Sequence, residues 1–300
     1  MKHRINKTPS KYLNPLNINE LRGNIAMLKS SSSDKNILFV PDMNSDMRLN
    51  WEVLNYLRYF GNVTSIGLPG YGGMDSFSNI LKKPSLNNYA DYLSSILKLR
   101  YKNKKFIIVG QGFGFIIATR TLQKYPNIAR NVKLVISIDG SARYDDIKYE
   151  KLKFNKLSYI GLSVIGAKLL KSSGFSKSIQ NVNLFSDSSL TDSLSDYHAN
   201  DLRFVNQIRS KNDLYTHINI LLLIRSFDNS KITLNIPLWN IILKDSSIIK
   251  DSAENHLKSV YSRYSSSSPR IGYYDLMTNK DNCISKLFTM KLKKQILKKK

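Results

Sequence analysis

Three short, almost unbroken apolar runs, Ile37-Leu38-Phe39-Val40, Phe106-Ile107-Ile108-Val109 and Leu134-Val135-Ile136-Ser137-Ile138, constrain this chain more than any other feature. A strand with one wet face alternates apolar and polar residues, so a strand without that alternation must be covered on both faces. Between the runs lie segments with apolar residues at helical spacing: 51–60, where Trp51, Leu54, Tyr56 and Leu57 can turn inward, 89–99, and 113–124, which stops near Pro126. The alternation predicts an α/β fold: a mostly parallel central sheet with helices on both faces. Residues 62–66 give a further strand, closed by the loop Gly67-Leu68-Pro69-Gly70-Tyr71-Gly72-Gly73, too rich in Gly and Pro for regular structure.

The same periodicities divide the chain. Residues 1–20 lack a pattern and read as an N-terminal tail. Residues 21–145 form the first part of the core, opening with an edge strand over 21–29. Residues 146–235 break the rhythm: they are Ser- and Lys-rich, carry the apolar stretch 157–170, and read as an inserted helical cap. The core resumes over 236–290, with a strand at Pro237-Leu238-Trp239-Asn240-Ile241-Ile242-Leu243, a helix over 250–264, a strand over 270–274 and a helix from about Cys283. Residues 291–300 form a basic tail, a solvated helix end or frayed terminus.

Composition narrows the class. With 42% hydrophobic residues in 300, the chain can bury a sizeable core, while its longest apolar runs, 157–165 and 218–224, fall short of the roughly 18 to 20 residues of a membrane span. The charged start Met1-Lys2-His3-Arg4-Ile5-Asn6-Lys7 leads into polar sequence rather than a signal-type apolar region, which predicts a cytoplasmic location. Cys283 is the sole cysteine, so internal disulfides and cysteine metal sites are excluded. No motif calls for a metal or another cofactor. The net charge of +24 would attract polyanions, but the lysines are dispersed through the sequence and assign neither a nucleic-acid nor a membrane partner. Nothing here specifies an oligomeric state.

In this order and spacing the segments resemble the α/β-hydrolase superfamily, in particular its lid-bearing esterase, lipase and epoxide-hydrolase-like branch, over residues 36–290. The carriers are the strand Ile37-Leu38-Phe39-Val40 followed by a loop and Trp51, the turn Gly67-Leu68-Pro69-Gly70-Tyr71-Gly72, the Tyr125-Pro126 that closes a helix, and the strand ending at Asp139. The resemblance implies a nucleophile elbow at Gly110-Gln111-Gly112-Phe113-Gly114, where a Gly-x-Ser-x-Gly sequence would set a serine on a sharp strand-to-helix turn. Both outer glycines are present, but the serine position is Gly112, which has no side chain with which to attack a carbonyl. The loop where the family places its histidine, 275–290, has none; the chain's histidines are His3, His198, His217 and His256. The family's acid position holds Asp245 or, by strict spacing, Ser246, and Asp245 reads as an acid remnant or a turn cap. Pro41-Asp42 replaces the His-Gly pair of the oxyanion loop.

These changes predict a pseudoenzyme without Ser-His-Asp acyl chemistry. The N–H groups of Phe113 and Gly114 open a helix behind a glycine turn, which suits a carboxylate, phosphate or carbonyl oxygen, and the cap would roof a pocket for a largely apolar ligand. Asp42, Met43, Gln111, Gly112 and Phe113 are therefore the candidate ligand-binding residues, and a small molecule under the cap or a protein is the candidate partner. Cap residues Tyr159, Leu162, Ile165 and Leu169 read as core. A second reading stays open, in which Gly112 only fits a tight connection and the pocket has closed. Two other classes compete. A hydrolase with a relocated nucleophile would draw on Ser45 or Ser141 at the carboxyl edge of the sheet, or on Asp42 and His256 as acid–base groups. A dinucleotide site would use Gly110, Gly112 and Asp139, but Phe115 stands where its third glycine belongs.

Overall fold

The computed structural model describes residues 9–43, 45, 47–148, 199–244, 249–278 and 282–298. Its strands are β1 (Leu13–Ile18), β2 (Leu21–Leu28), β3 (Asn36–Val40), β4 (Asn62–Ile66), β5 (Phe106–Gln111), β6 (Val132–Ile138), β7 (Leu234–Ile241) and β8 (Tyr261–Ser267). They make one sheet in the order β1-β2-β4-β3-β5-β6-β7-β8. The six strands from β4 across to β8 run parallel, and β2 runs antiparallel to both of its neighbours. The helices are α1 (Trp51–Leu57), α2 (Leu86–Tyr101), α3 (Phe113–Lys124), α4 (Pro126–Ala129), α5 (Ala199–Arg209), α6 (Leu214–Ile224), α7 (Ala253–Val260), α8 (Tyr273–Thr278), α9 (Cys283–Leu287) and α10 (Met290–Leu297).

The apolar runs sit in the middle of this sheet, as their lack of alternation requires. Successive side chains of a strand point to opposite faces, and each run feeds two cores. Leu38, Val40, Ile108 and Val135 join α2, α3, α6 and α7 on one face. Ile37, Phe39, Ile107, Val109, Leu134 and Ile136 join α1, α9 and α10 on the other. Each fully buried aliphatic or aromatic side chain contributes roughly 1.5–3 kcal/mol, so these two layers dominate the stability of the fold.

Sequence expectations are corrected in three regions. Residues 1–20 are not a tail throughout: Leu13–Ile18 forms β1, with Leu16 and Ile18 buried and Pro15 tolerated because the strand lies at the sheet edge. The strand over 21–29 is accordingly second from that edge. The helix over 250–264 ends at Val260. Leu257, Val260, Tyr261 and Tyr264 have helical spacing, but the backbone from Tyr261 onward pairs with β7, and 270–274 is no strand: Tyr273 already begins α8. The basic tail over 291–300 is a packed helix through Leu297. Its amphipathic pattern buries Leu292 and Ile296, and Thr289 caps it by accepting from the Leu292 N–H at 3.3 Å.

Of the expected cap, 149–198 lies outside the described residues, and with it Tyr159, Leu162, Ile165, Leu169 and His198. His3, Asp245 and Ser246 lie outside them too. The described remainder contains α5 and α6. Asp213 caps α6 by accepting from the Thr216 N–H at 2.9 Å, and this corner binds the Gly-Pro loop through Asp213 N–H to Gly70 O at 2.8 Å and Gly72 N–H to Asn212 Oδ1 at 2.9 Å. From below, the α2 tyrosines hold the same loop, Tyr89 donating to Pro69 O at 2.7 Å and Tyr92 to Gly67 O at 2.8 Å.

Candidate functional site

One residue joins β5 to α3. Gly112 has φ +48° and ψ −116°, a conformation costly for any residue with a Cβ, and its N–H donates to Ile138 O at 2.9 Å. The outer glycines serve close approach: a Cβ on Gly110 would stand 2.6 Å from Phe115 Cα, and one on Gly114 would collide with the Val40 and Pro41 carbonyl oxygens. The turn thus keeps the shape of a nucleophile elbow with nothing at its apex.

The space above the apex is filled from another loop. Asp42, two residues beyond β3, lays its carboxylate over Gly112. Its Oδ1 accepts from the Phe113 N–H at 2.7 Å and from the Met43 N–H at 2.8 Å. A Cβ on Gly112 would be 2.5 Å from Asp42 Cγ, so a side chain at the apex and this carboxylate exclude each other. The start of α3 favours negative charge through the helix dipole, and a charged acceptor makes both hydrogen bonds stronger than neutral ones. Of the two N–H groups expected to receive a ligand oxygen, that of Phe113 therefore holds the chain's own.

Of the candidate ligand-binding residues, Asp42, Met43, Gly112 and Phe113 meet at this point. The Phe113 ring is buried and edge-on to Tyr89 at 5.4 Å, which is in turn edge-on to Phe77 at 4.9 Å. Gln111 is also buried, and its Oε1 has no hydrogen-bond partner among the described residues. A cleft of about 60 Å³ is lined among others by Asn24, Met47, Arg48, Gly67, Tyr71 and Met74, and no elbow residue faces it.

Of the other groups named for alternative chemistry, most are buried or bonded elsewhere in the fold. Ser45 is buried and its Oγ accepts from Asn50 Nδ2 at 2.9 Å; Ser141 is buried. Asp139, at the end of β6, accepts from the Leu243 N–H at 2.8 Å. Phe115 packs beneath Gly140 and beside the Tyr261 ring, 6.0 Å away. His217 on α6 is edge-on to Tyr71 at 6.2 Å, and burial, with a smaller contribution from Arg209, lowers its pKa to about 3. His256 on α7 bonds through Nδ1 to Asp146 Oδ1 at 2.5 Å, and Asp146, wholly buried, also accepts from the Ala142 and Arg143 N–H groups at 3.0 Å. Asp145, Asp146 and His256 bring donor atoms within 4.8 Å of one another, but Arg143 pairs with Asp145 at 2.9 Å, and the cluster ties the chain beyond β6 to α7. Sequence reading missed this lock because its partners lie 110 residues apart. It also missed the placement of Asp42; an acidic residue in a loop that returns to a helix N-terminus was the available signal.

Comparison with known proteins agrees with the geometry. The Ndr family model matches residues 52–233, more than half of the chain. No curated protein matches by sequence. Among solved structures, an N-formylmaleamic acid deformylase from Pseudomonas putida S16 superposes with a TM-score of 0.66 at 12% identity, covering 92% of this chain and 100% of that one. A variant epoxide hydrolase from Bacillus megaterium gives 0.60 at 14% identity, with 92% and 99% covered. A hydrolase from Oleispira antarctica gives 0.63 at 14% identity, with 92% and 94% covered. At these identities the likeness establishes the α/β-hydrolase fold.

Proposed function

The chain belongs to the Ndr family, an α/β-hydrolase-fold family, and from that premise we propose that it is a pseudoenzyme that works by binding, without Ser-His-Asp acyl chemistry. The supporting observation is the Asp42 carboxylate over Gly112: the apex lacks a nucleophile, and the Phe113 N–H that would stabilise an oxyanion is already taken at 2.7 Å. An anionic ligand would have to displace Asp42 from the α3 N-terminus, whereas an apolar molecule under the residues following β6, or a protein partner, would not. The reading therefore favours those two over a carboxylate or phosphate at the elbow.

A serine-directed phosphonate probe and a panel of short- and long-chain esters test the proposal on the full chain. We expect no labelling and no turnover above that of heat-denatured protein. Labelling that Ser45→Ala or Ser141→Ala abolishes would assign a relocated nucleophile and overturn the reading.

A further inference from the structure

The lysines that look dispersed along the sequence converge in the fold. Because the strands from β4 to β8 run parallel, the segments that lead into β3, β5 and β6 end at one edge of the sheet, opposite the elbow. Registers align their first residues in a row: Asn36 faces Phe106, and Phe106 faces Val132. Strands are about 4.8 Å apart, so the three segments span only about 10 Å. They also bond to one another, Asn36 Nδ2 to Lys105 O at 3.2 Å and Lys105 Nζ to Arg130 O at 2.8 Å. Together, 29–35, 98–105 and 125–133 carry nine Lys or Arg residues and one acidic residue, Asp34. Lys102, Lys104, Lys105 and Arg130 are exposed. Amid these cations, in the last turn of α2, stands Leu99 with 66% of its surface in solvent, flanked by exposed Lys98 and Arg100.

We propose that this amino-terminal edge of the sheet is a docking surface for an anionic lipid bilayer. Positive charges within about a Debye length of one another act on a charged surface together, and lysine stems can lie along the headgroup–acyl boundary while their ammonium groups stay wet. The exposed leucine is what selects lipid. A bilayer interface takes up an aliphatic side chain, whereas single-stranded nucleic acid is held by aromatic platforms in a groove and a duplex by an element that enters one of its grooves. This edge is built of loop segments and helix ends, and beside Leu99 its exposed apolar surface includes one tyrosine, Tyr59, whose carbonyl accepts from Ser32 at 2.9 Å; a single tyrosine is no stacking platform and has the amphipathic ring that suits a membrane interface. Attachment would be peripheral, since no helix among the described residues is long and apolar enough to cross a membrane.

The test is sedimentation of the full chain with vesicles of phosphatidylcholine alone and of phosphatidylcholine with phosphatidylserine, at low and high salt. We expect partition only with phosphatidylserine, weakened by salt. The combined variant Lys102→Gln, Lys104→Gln, Lys105→Gln should weaken it on the order of a hundredfold, since each lysine near an anionic surface contributes roughly fivefold. Leu99→Ser should weaken binding while leaving its salt dependence unchanged. All four side chains are exposed, and an unchanged melting temperature verifies that the variants fold. No phosphatidylserine-dependent partition, partition that survives the triple substitution, or binding to a duplex oligonucleotide without binding to vesicles overturns the proposal.

Discussion

Asp42 and Gly112 form a pair in which each residue suits the other. Asp42→Ala leaves the Phe113 and Met43 N–H groups without their acceptor and should destabilise the protein by about 1–3 kcal/mol, whereas Asp42→Asn keeps an acceptor oxygen and should cost less. Urea unfolding checks the ranking; equal losses would mean that the charge, not the hydrogen bonds, carries the interaction. Gly112→Ser should remain inactive toward esters and be destabilised by about 2 kcal/mol or more, because it forces a Cβ into a strained backbone conformation and against the carboxylate. Combined with Asp42→Gly, the penalty should shrink, giving a coupling of about 1 kcal/mol or more in a double-mutant cycle; strict additivity would show that the two do not meet. At this scale sequence was informative about the turn, because the paired glycines mark a sharp strand-to-helix corner: Gly110 answers to Phe115 five residues on, although Gly114 answers to the distant Val40 and Pro41 carbonyls. It was uninformative about the plug, which closes a contact 71 residues apart.

Among the elements, two predictions concern titratable groups that the packing has committed. Asp146 serves two backbone N–H groups and His256 from a fully buried position, so Asp146→Ala should cost about 3 kcal/mol or more, and His256→Ala less, since the ring is 27% exposed. Thermal unfolding of the two variants gives the comparison. His217 is held neutral, its pKa lowered to about 3 by burial. In the unfolded chain it takes up a proton near pH 6.5, so between about 6.5 and 3 the unfolded state binds more protons than the folded one. Stability should therefore fall as the pH is lowered from about 6.5 to 3, by up to about 1.4 kcal/mol per unit from this group. His217→Phe should flatten the slope, and an unchanged slope would remove His217 from the account. Periodicity located α1, α2 and α3, whose apolar faces follow from their own residues. It failed at Tyr261, where a helical pattern continues for another turn but the open edge of β7 offers a ladder of hydrogen bonds. A residue's own propensity does not know which partner backbone is near.

For the molecule as a whole, the C-terminal helix α10 completes the core on the α1 face. Ending the chain after Thr289 removes Leu292 and Ile296 from that core and should cost on the order of 3–6 kcal/mol, with an exposed apolar surface that a hydrophobic dye reports. A truncated chain as stable as the full one would return α10 to the status of a tail. The parallel architecture was legible because buried strands must be apolar throughout; the charge distribution was not, because the residues that share an edge enter it from three separate segments. The direction of β5 ties these observations together. Its six residues run from the basic edge to the elbow, a distance of about 20 Å. A molecule resting on a surface by that edge holds Asp42 and Gly112, together with Asp139 just beyond β6, at its far pole. Its orientation is then fixed, and whatever binds there is presented outward at a height set by the length of one strand.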